Sequence, residues 1–421
     1  MWRTHNIAFV TNPYPRAGHL SRLQWLFVGL MVSLVSLVSL VPPAQAAPFT
    51  PGSDSQVLER LPWRASDEAA QSLQALRRAW RAAPQDPQAA LPLAWRYLAE
   101  VASTGDPRFV GYAQATLAPW WKVPEPPAAV RVVRAVLLQF DHQFDAALAD
   151  LKAAQAAQPD DVQAWAWSLA IQMVQADYAA AAQSCARLSR LASALVAAAC
   201  QAQVGAATGQ GEVAARGLRT ALNAQTGADR EERVWSLTRL AEIEERLGWD
   251  ALARASFEEA LALSRPPRAQ DVYLLAAYAD HLLDRGLANE VRVLLKDQNR
   301  ADVLLLRLAL AAQAGRKPET ATYVKTLTER FAAATARNDT THRKEQARFL
   351  LQLGGDKVQA LTLARQNWAQ QREVADARLL LEAALANRDR AAAAPVLGWL
   401  ASSRVQSKTL QALALQLQAL P

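Results

Sequence analysis

Three histidines stand beyond residue 46, His142, His281 and His342, together with two cysteines, Cys185 and Cys200. These are the side chains with the widest chemical reach. The run Phe140, Asp141, His142, Gln143, Phe144, Asp145 sets one imidazole between two carboxylates, a partial metal-ligand pattern that is equally the composition of a polar turn. His281 follows Asp280, and His342 lies among Thr340, Thr341, Arg343 and Lys344; neither has the His-Glu-x-x-His spacing that puts two ligands on one helical face. No Gly-x-Ser-x-Gly elbow is present, and Ser407 beside Lys408 reads as a helix start. Gly205, Gly209 and Gly211 follow no strand, so they do not read as a phosphate loop. Glu244 and Glu245 are adjacent carboxylates on a helix surface with no cleft domain to shift their protonation. The expectation is a protein without catalytic residues, cofactor or metal.

The cysteines are the only pair in the chain, and their midpoint falls between Ala192 and Ser193. In an antiparallel helical hairpin, residues equidistant from the turn lie side by side, within the roughly 4.4 to 6.8 Å Cα separation that a disulfide requires. Cys185 and Cys200 are therefore either bonded or two small apolar residues between helices, and an oxidising compartment favours the bond.

The elements that carry these residues are helices. Ala is about one residue in five, Gly is sparse, and alternating Val, Ile, Thr and aromatic runs are nearly missing. Apolar stripes at three- and four-residue steps come in pairs around turns containing Gly, Asp or His. One pair shows Ala135, Leu138, Ala147, Leu151, Ala154 and Pro159; another shows Leu240, Ala241, Ala253, Phe257, Ala260 and Pro266. This order of small and large residues resembles the tetratricopeptide repeat, with a period of roughly 34 residues. The resemblance implies an all-α fold, a right-handed superhelical α-solenoid of roughly eight to ten hairpins whose first helices line a concave face. Regular repeats are expected at 128–266, with weaker copies at 272–299, 302–335, 343–370 and 374–402. Residues 47–127 read as an N-terminal helical region with degenerate repeats, and 267–421 as divergent repeats ending in a capping helix.

Residues 1–46 read differently. Arg3, Arg16 and Arg22 occur without an acidic residue, an apolar run follows from Leu23 to Val41, and Ala44, Gln45, Ala46 ends it. This is the pattern of a secretory signal peptide cleaved after Ala46, and it places the mature chain in the periplasm. The alternative is an inner-membrane anchor formed by residues 23–41. Cleavage removes three of the 46 Lys and Arg, leaving 43 against 39 Asp and Glu. That near balance, with acidic and basic residues alternating as in Asp229, Arg230, Glu231, Glu232 and Arg233, describes solvated helix faces rather than a nucleic-acid surface.

Function is then expected on the concave face. The helical register puts Trp235, Thr238, Glu242 and Glu245 on one face of one repeat, Tyr273, Ala276, Asp280 and Leu283 on that of the next, and Trp167, Ile171 and Gln203 upstream. An aromatic and acidic surface of this kind suits an extended peptide with basic and apolar side chains, so the partner is expected to be another protein or peptide segment, in assembly of an envelope complex. Trp120 and Trp121, between Pro119 and the prolines at 124, 126 and 127, are expected outside regular helix, where they either plug a join or stack on a sugar ring. The second reading makes envelope polysaccharide or peptidoglycan the alternative ligand.

Overall fold

Several helix starts in this chain are written by their caps. Asp161, Asp229 and Asp271 accept hydrogen bonds from the backbone N–H groups two and three residues on, and Ser193 and Ser407 do the same three residues on. These side chains satisfy amide donors that a helix start leaves open. The computed structural model describes residues 52, 53, 55, 56, 67–264, 271–337 and 342–420. The expected signal segment 1–46 and the proline-rich connection at 265–270 lie outside them. The described residues from Leu76 onward belong to one compact unit, and the opening of α1 (Glu68–Ala82), as far as Ala75, is assigned to another.

The described residues form α-helices and one π-helical turn, with no strand. After α1 come α2 (Pro87–Thr104), α3 (Arg108–Thr116) and a single turn, α4 (Ala118–Trp121). Eight hairpins follow in pairs: α5 (Ala128–Phe140) with α6 (Phe144–Ala157), α7 (Val162–Val174) with α8 (Tyr178–Leu191), α9 (Ala194–Ala207) with α10 (Gly211–Ala224), and α11 (Arg230–Arg246) with α12 (Asp250–Leu263). The later four are α13 (Val272–Asp284) with α14 (Ala288–Leu294), α15 (Asp302–Ala314) with α16 (Thr320–Ala336), α17 (Arg343–Phe349) with α18 (Lys357–Gln370), and α19 (Val374–Ala386) with α20 (Arg390–Ser403). The π-turn Leu350–Gly354 extends α17, and α21 (Lys408–Gln418) closes the array. First helices beginning at 128, 162, 194 and 230 are 34, 32 and 36 residues apart, matching the tetratricopeptide period. This is an all-α helical repeat.

The turn inside each hairpin repeats as well. One residue with positive φ sits at each: His142, Ala176, Gly209, Gly248, Gly286, Arg316, Gly355 and Arg388. In most of them the next N–H bonds back five residues, as Gln143 to Leu138 O, Asp177 to Gln172 O and Trp249 to Glu244 O. That is the Schellman closure of a helix C-terminus. Packing uses the signature residues: Ala135, Ala147, Leu151, Ala154, Leu240, Ala241, Ala253, Phe257 and Ala260 are fully buried, while Leu138 is half-buried.

Cys185 on α8 and Cys200 on α9 are joined by a disulfide, linking the end of one hairpin to the start of the next. Trp120 and Trp121 correct the sequence reading, because they lie in the helical turn α4. Proline is tolerated at a first turn, where its missing N–H has no partner to lose. The Arg134 guanidinium then takes the carbonyls of Trp120, Trp121 and Val123 at 3.1, 3.2 and 2.9 Å.

Candidate functional site

From α7 onward the first helices of successive hairpins each turn one face inward, and in the unit beginning at Leu76 those faces line a cavity of about 660 Å³. α7 supplies Trp167 and Met173, α9 Gln203, α11 Trp235, Arg239, Glu242, Glu245 and Arg246, and α13 Tyr273, Ala277, Asp280 and Asp284. The wall continues with Arg307 from α15, Lys344, Glu345 and Arg348 from α17, Arg378 and Glu382 from α19, and Thr409 from α21. The concave face is rolled up on itself. It is not an open groove.

Of the expected site residues, Trp167, Gln203, Trp235, Glu242, Glu245, Tyr273 and Asp280 line this cavity. Thr238 does not. Its hydroxyl donates to Val234 O at 2.8 Å and the residue is buried against its own helix. The inward stripe of α11 runs 235, 239, 242, 246 in steps of four, three and four, so Arg239 occupies the place that Thr238 was expected to hold. Ile171 is likewise buried and off the lining, and Leu283 is off it too.

The wall is also not simply acidic. Arg239 lies over the Tyr273 ring at 4.5 Å and pairs with Glu242 at 3.1 Å, while the Tyr273 hydroxyl donates to the other Glu242 oxygen. Burial pushes the Tyr273 hydroxyl well above its usual range; Arg239 opposes this and Glu242 reinforces it. Asp280 is shared by Arg307 at 2.5 Å and Arg348 at 2.7 Å. Asp284 takes two hydrogen bonds from Arg378, at 2.5 and 2.8 Å. Glu245 faces His281 Nδ1 at 3.1 Å and accepts from Arg285 at 3.4 Å, and burial still raises its carboxyl above the ordinary value. Lys344 reaches Asp376 at 3.3 Å and Glu373 at 3.9 Å, and those carboxylates outweigh its burial to hold the ammonium up. Arg246 Nε bonds only a backbone carbonyl, that of Glu242, and burial lowers its affinity for its proton.

Sequence reasoning missed the cations: Arg239, Arg307, Lys344, Arg348 and Arg378. Arg239 fits between Trp235 and Glu242 in steps of four and three, and Thr238 fits in steps of three and four, so the helical register alone admits either. His142, the other candidate, is in a hairpin turn with its Nε2 at 2.9 Å from the Gln371 side chain. Among the described residues no three His, Cys, Asp or Glu converge as metal ligands, and no helix is long and apolar enough to cross a membrane.

Fold and site together define a helical-hairpin repeat wound around a lined cavity. No family model matches the chain, and no curated protein matches it. Among solved structures, the human IFIT1 dimer with m7Gppp-AAAA is similar over 83% of this chain and 87% of that one, at 12% identity and a TM-score of 0.43. The TPR domain of P58(IPK) is similar over 85% of this chain and 94% of that one, at 15% identity and a TM-score of 0.22. At these scores neither structure carries a feature of the cavity over to this chain.

Proposed function

We propose that this chain is a non-enzymatic binding scaffold that takes an extended segment of another protein into its central cavity. The observation that supports the reading is the wall itself, formed by equivalent faces of successive first helices and carrying Trp167, Trp235 and Tyr273 among charges of both signs. Aromatic anchors supply apolar contact area at low entropic cost, and paired charges that can re-pair offer polar complementarity along a peptide. We place the scaffold in the periplasm, in assembly of an envelope complex, on the strength of residues 1–46. Sugar stacking by Trp120 and Trp121 has less support, because both rings are half-buried and their carbonyls are bound by Arg134.

The test is position-specific photo-crosslinking in the native envelope. A photoreactive residue at Ala277 in the cavity wall should capture one protein, and one at Val293, exposed on the outer helix α14, should not. Equal capture from both, or from Val293 alone, refutes the cavity as the binding site. Sequencing the N-terminus of periplasmic material tests the location; a chain starting at Met1 overturns cleavage after Ala46.

A further inference from the structure

The wall of the cavity has a seam. Along it, loops and helix ends of the last hairpins meet the hairpin turns of the early ones, in the same chain order on both sides. Gln371 meets His142 at 2.9 Å, and Arg372 N donates to Val174 O at 2.7 Å. Next, Trp399 Nε1 donates to Tyr178 Oη at 3.1 Å and Glu212 N donates to Gln406 Oε1 at 3.3 Å. Glycines let the two sides come close. A Cβ on Gly209 would stand 3.0 Å from Arg404 Cβ, and one on Gly248 2.6 Å from Lys408 Cδ.

These contacts differ in kind from those between neighbouring hairpins. Neighbours share apolar cores: one cluster runs from Leu195 to Ala311, and another gathers the last hairpins from Ala347 to Leu417. The two clusters have no member in common. Among the described residues no helix packs lengthwise against another across the seam, whereas each hairpin does so within itself. Hydrogen bonds at a loop edge exchange with water at little net cost, while separating an apolar core costs in proportion to the area exposed. The seam is therefore a place where the wall parts more readily than between neighbouring hairpins. Tyr178 and Arg372, which bond across it, also line the cavity, so parting it opens directly onto the candidate site.

We propose that this seam is a gate, and that the last hairpins swing away from the turns at 142, 174–178, 209–212 and 248 to admit a polypeptide segment sideways. The gate rests on the cavity being the binding site, but its test reads access alone and needs no partner. In the full chain carrying Ala277→Cys as a reporter, labelling by a bulky maleimide is followed by peptide mapping. Gly211→Cys with Gln406→Cys is then added; the Gly211 Cβ position lies 3.7 Å from Gln406 Cβ, near the ~3.8 Å mean for a disulfide. With that bridge formed, labelling at the reporter should slow by at least about tenfold, as a closed gate requires. A second variant, Trp399→Phe with Gln406→Ala, removes two seam hydrogen bonds and should speed labelling. An unchanged rate in the bridged chain overturns the gate, and so does an unchanged rate in the weakened one if the bridge does not form. If crosslinking from Ala277 fails while labelling responds to the bridge, the peptide reading falls and the gate stands.

Discussion

Arg134 shows how much one buried side chain organises in a helical repeat. It sits on α5, nearly out of solvent, and holds Asp150 on α6 through two hydrogen bonds at 2.6 and 2.7 Å while its remaining donors take three carbonyls around α4. Removing Asp150 leaves the guanidinium buried without a counter-charge, which costs far more than the pair contributes over an apolar substitute. Asp150→Ala should therefore lower the unfolding free energy by about 3–5 kcal/mol, and Asp150→Asn, which keeps an acceptor, by clearly less. Urea unfolding checks this; equal midpoints for the alanine variant and the parent would show that the pair is dispensable. Single residues of this sort are poorly legible in sequence. Thr238 and Arg239 differ by one position on the same helix, and only the direction of the neighbouring hairpins decides which of them turns inward.

At the scale of the element, legibility is much better, because small residues must recur wherever two helices approach closely. The stretch read as a hairpin at 374–402 covers α19 and all of α20 but its last residue, and the stretch at 343–370 contains α17 and α18. What periodicity does not write is local irregularity: the one-turn helix at Trp120 and the π-turn at Leu350–Gly354 leave no mark in an apolar pattern. The turns are a middle case. A Gly at 209, 248 and 286 announces positive φ, but His142, Ala176, Arg316 and Arg388 adopt it without a glycine. An L-alanine in that conformation carries roughly 1–2 kcal/mol of strain, and glycine returns about 0.4–1 kcal/mol of that through its freer unfolded chain. Ala176→Gly should then raise stability by about 0.5–1 kcal/mol, measured by the same urea transition. A loss of stability would mean that the turn is held by contacts of the Ala176 methyl rather than by its backbone.

The whole molecule adds what neither residue nor element contains. Closure of the array brings Asp284 to Arg378, 94 residues on, and Asp280 to Arg348, 68 residues on, so the mixed charge of the cavity could not be read from any one helix. That closure also sets a pH dependence. Burial holds the carboxyls of Glu245, Glu345 and Glu373 above their ordinary value of 4.5, against the pull of His281 on the first and of Lys344 on the other two. A group that binds its proton more tightly when folded stabilises the fold below its unfolded value and loses that contribution as pH rises through its folded value. Asp280 acts in the opposite sense. Burial alone would raise it, but Arg307 and Arg348 outweigh burial and hold it below 3.8, so its contribution is present above 3.8 and is lost as pH falls through the folded value. The thermal midpoint should therefore climb as pH descends from neutrality toward 4.5 and drop again below 3.8. Glu345→Gln should flatten the climb, and a parent profile that is flat or highest at neutral pH would rule out this account of the wall. A bound segment bearing Lys or Arg would relieve the same three carboxylates, and should shift the maximum toward neutrality when the scan is repeated with the partner in place.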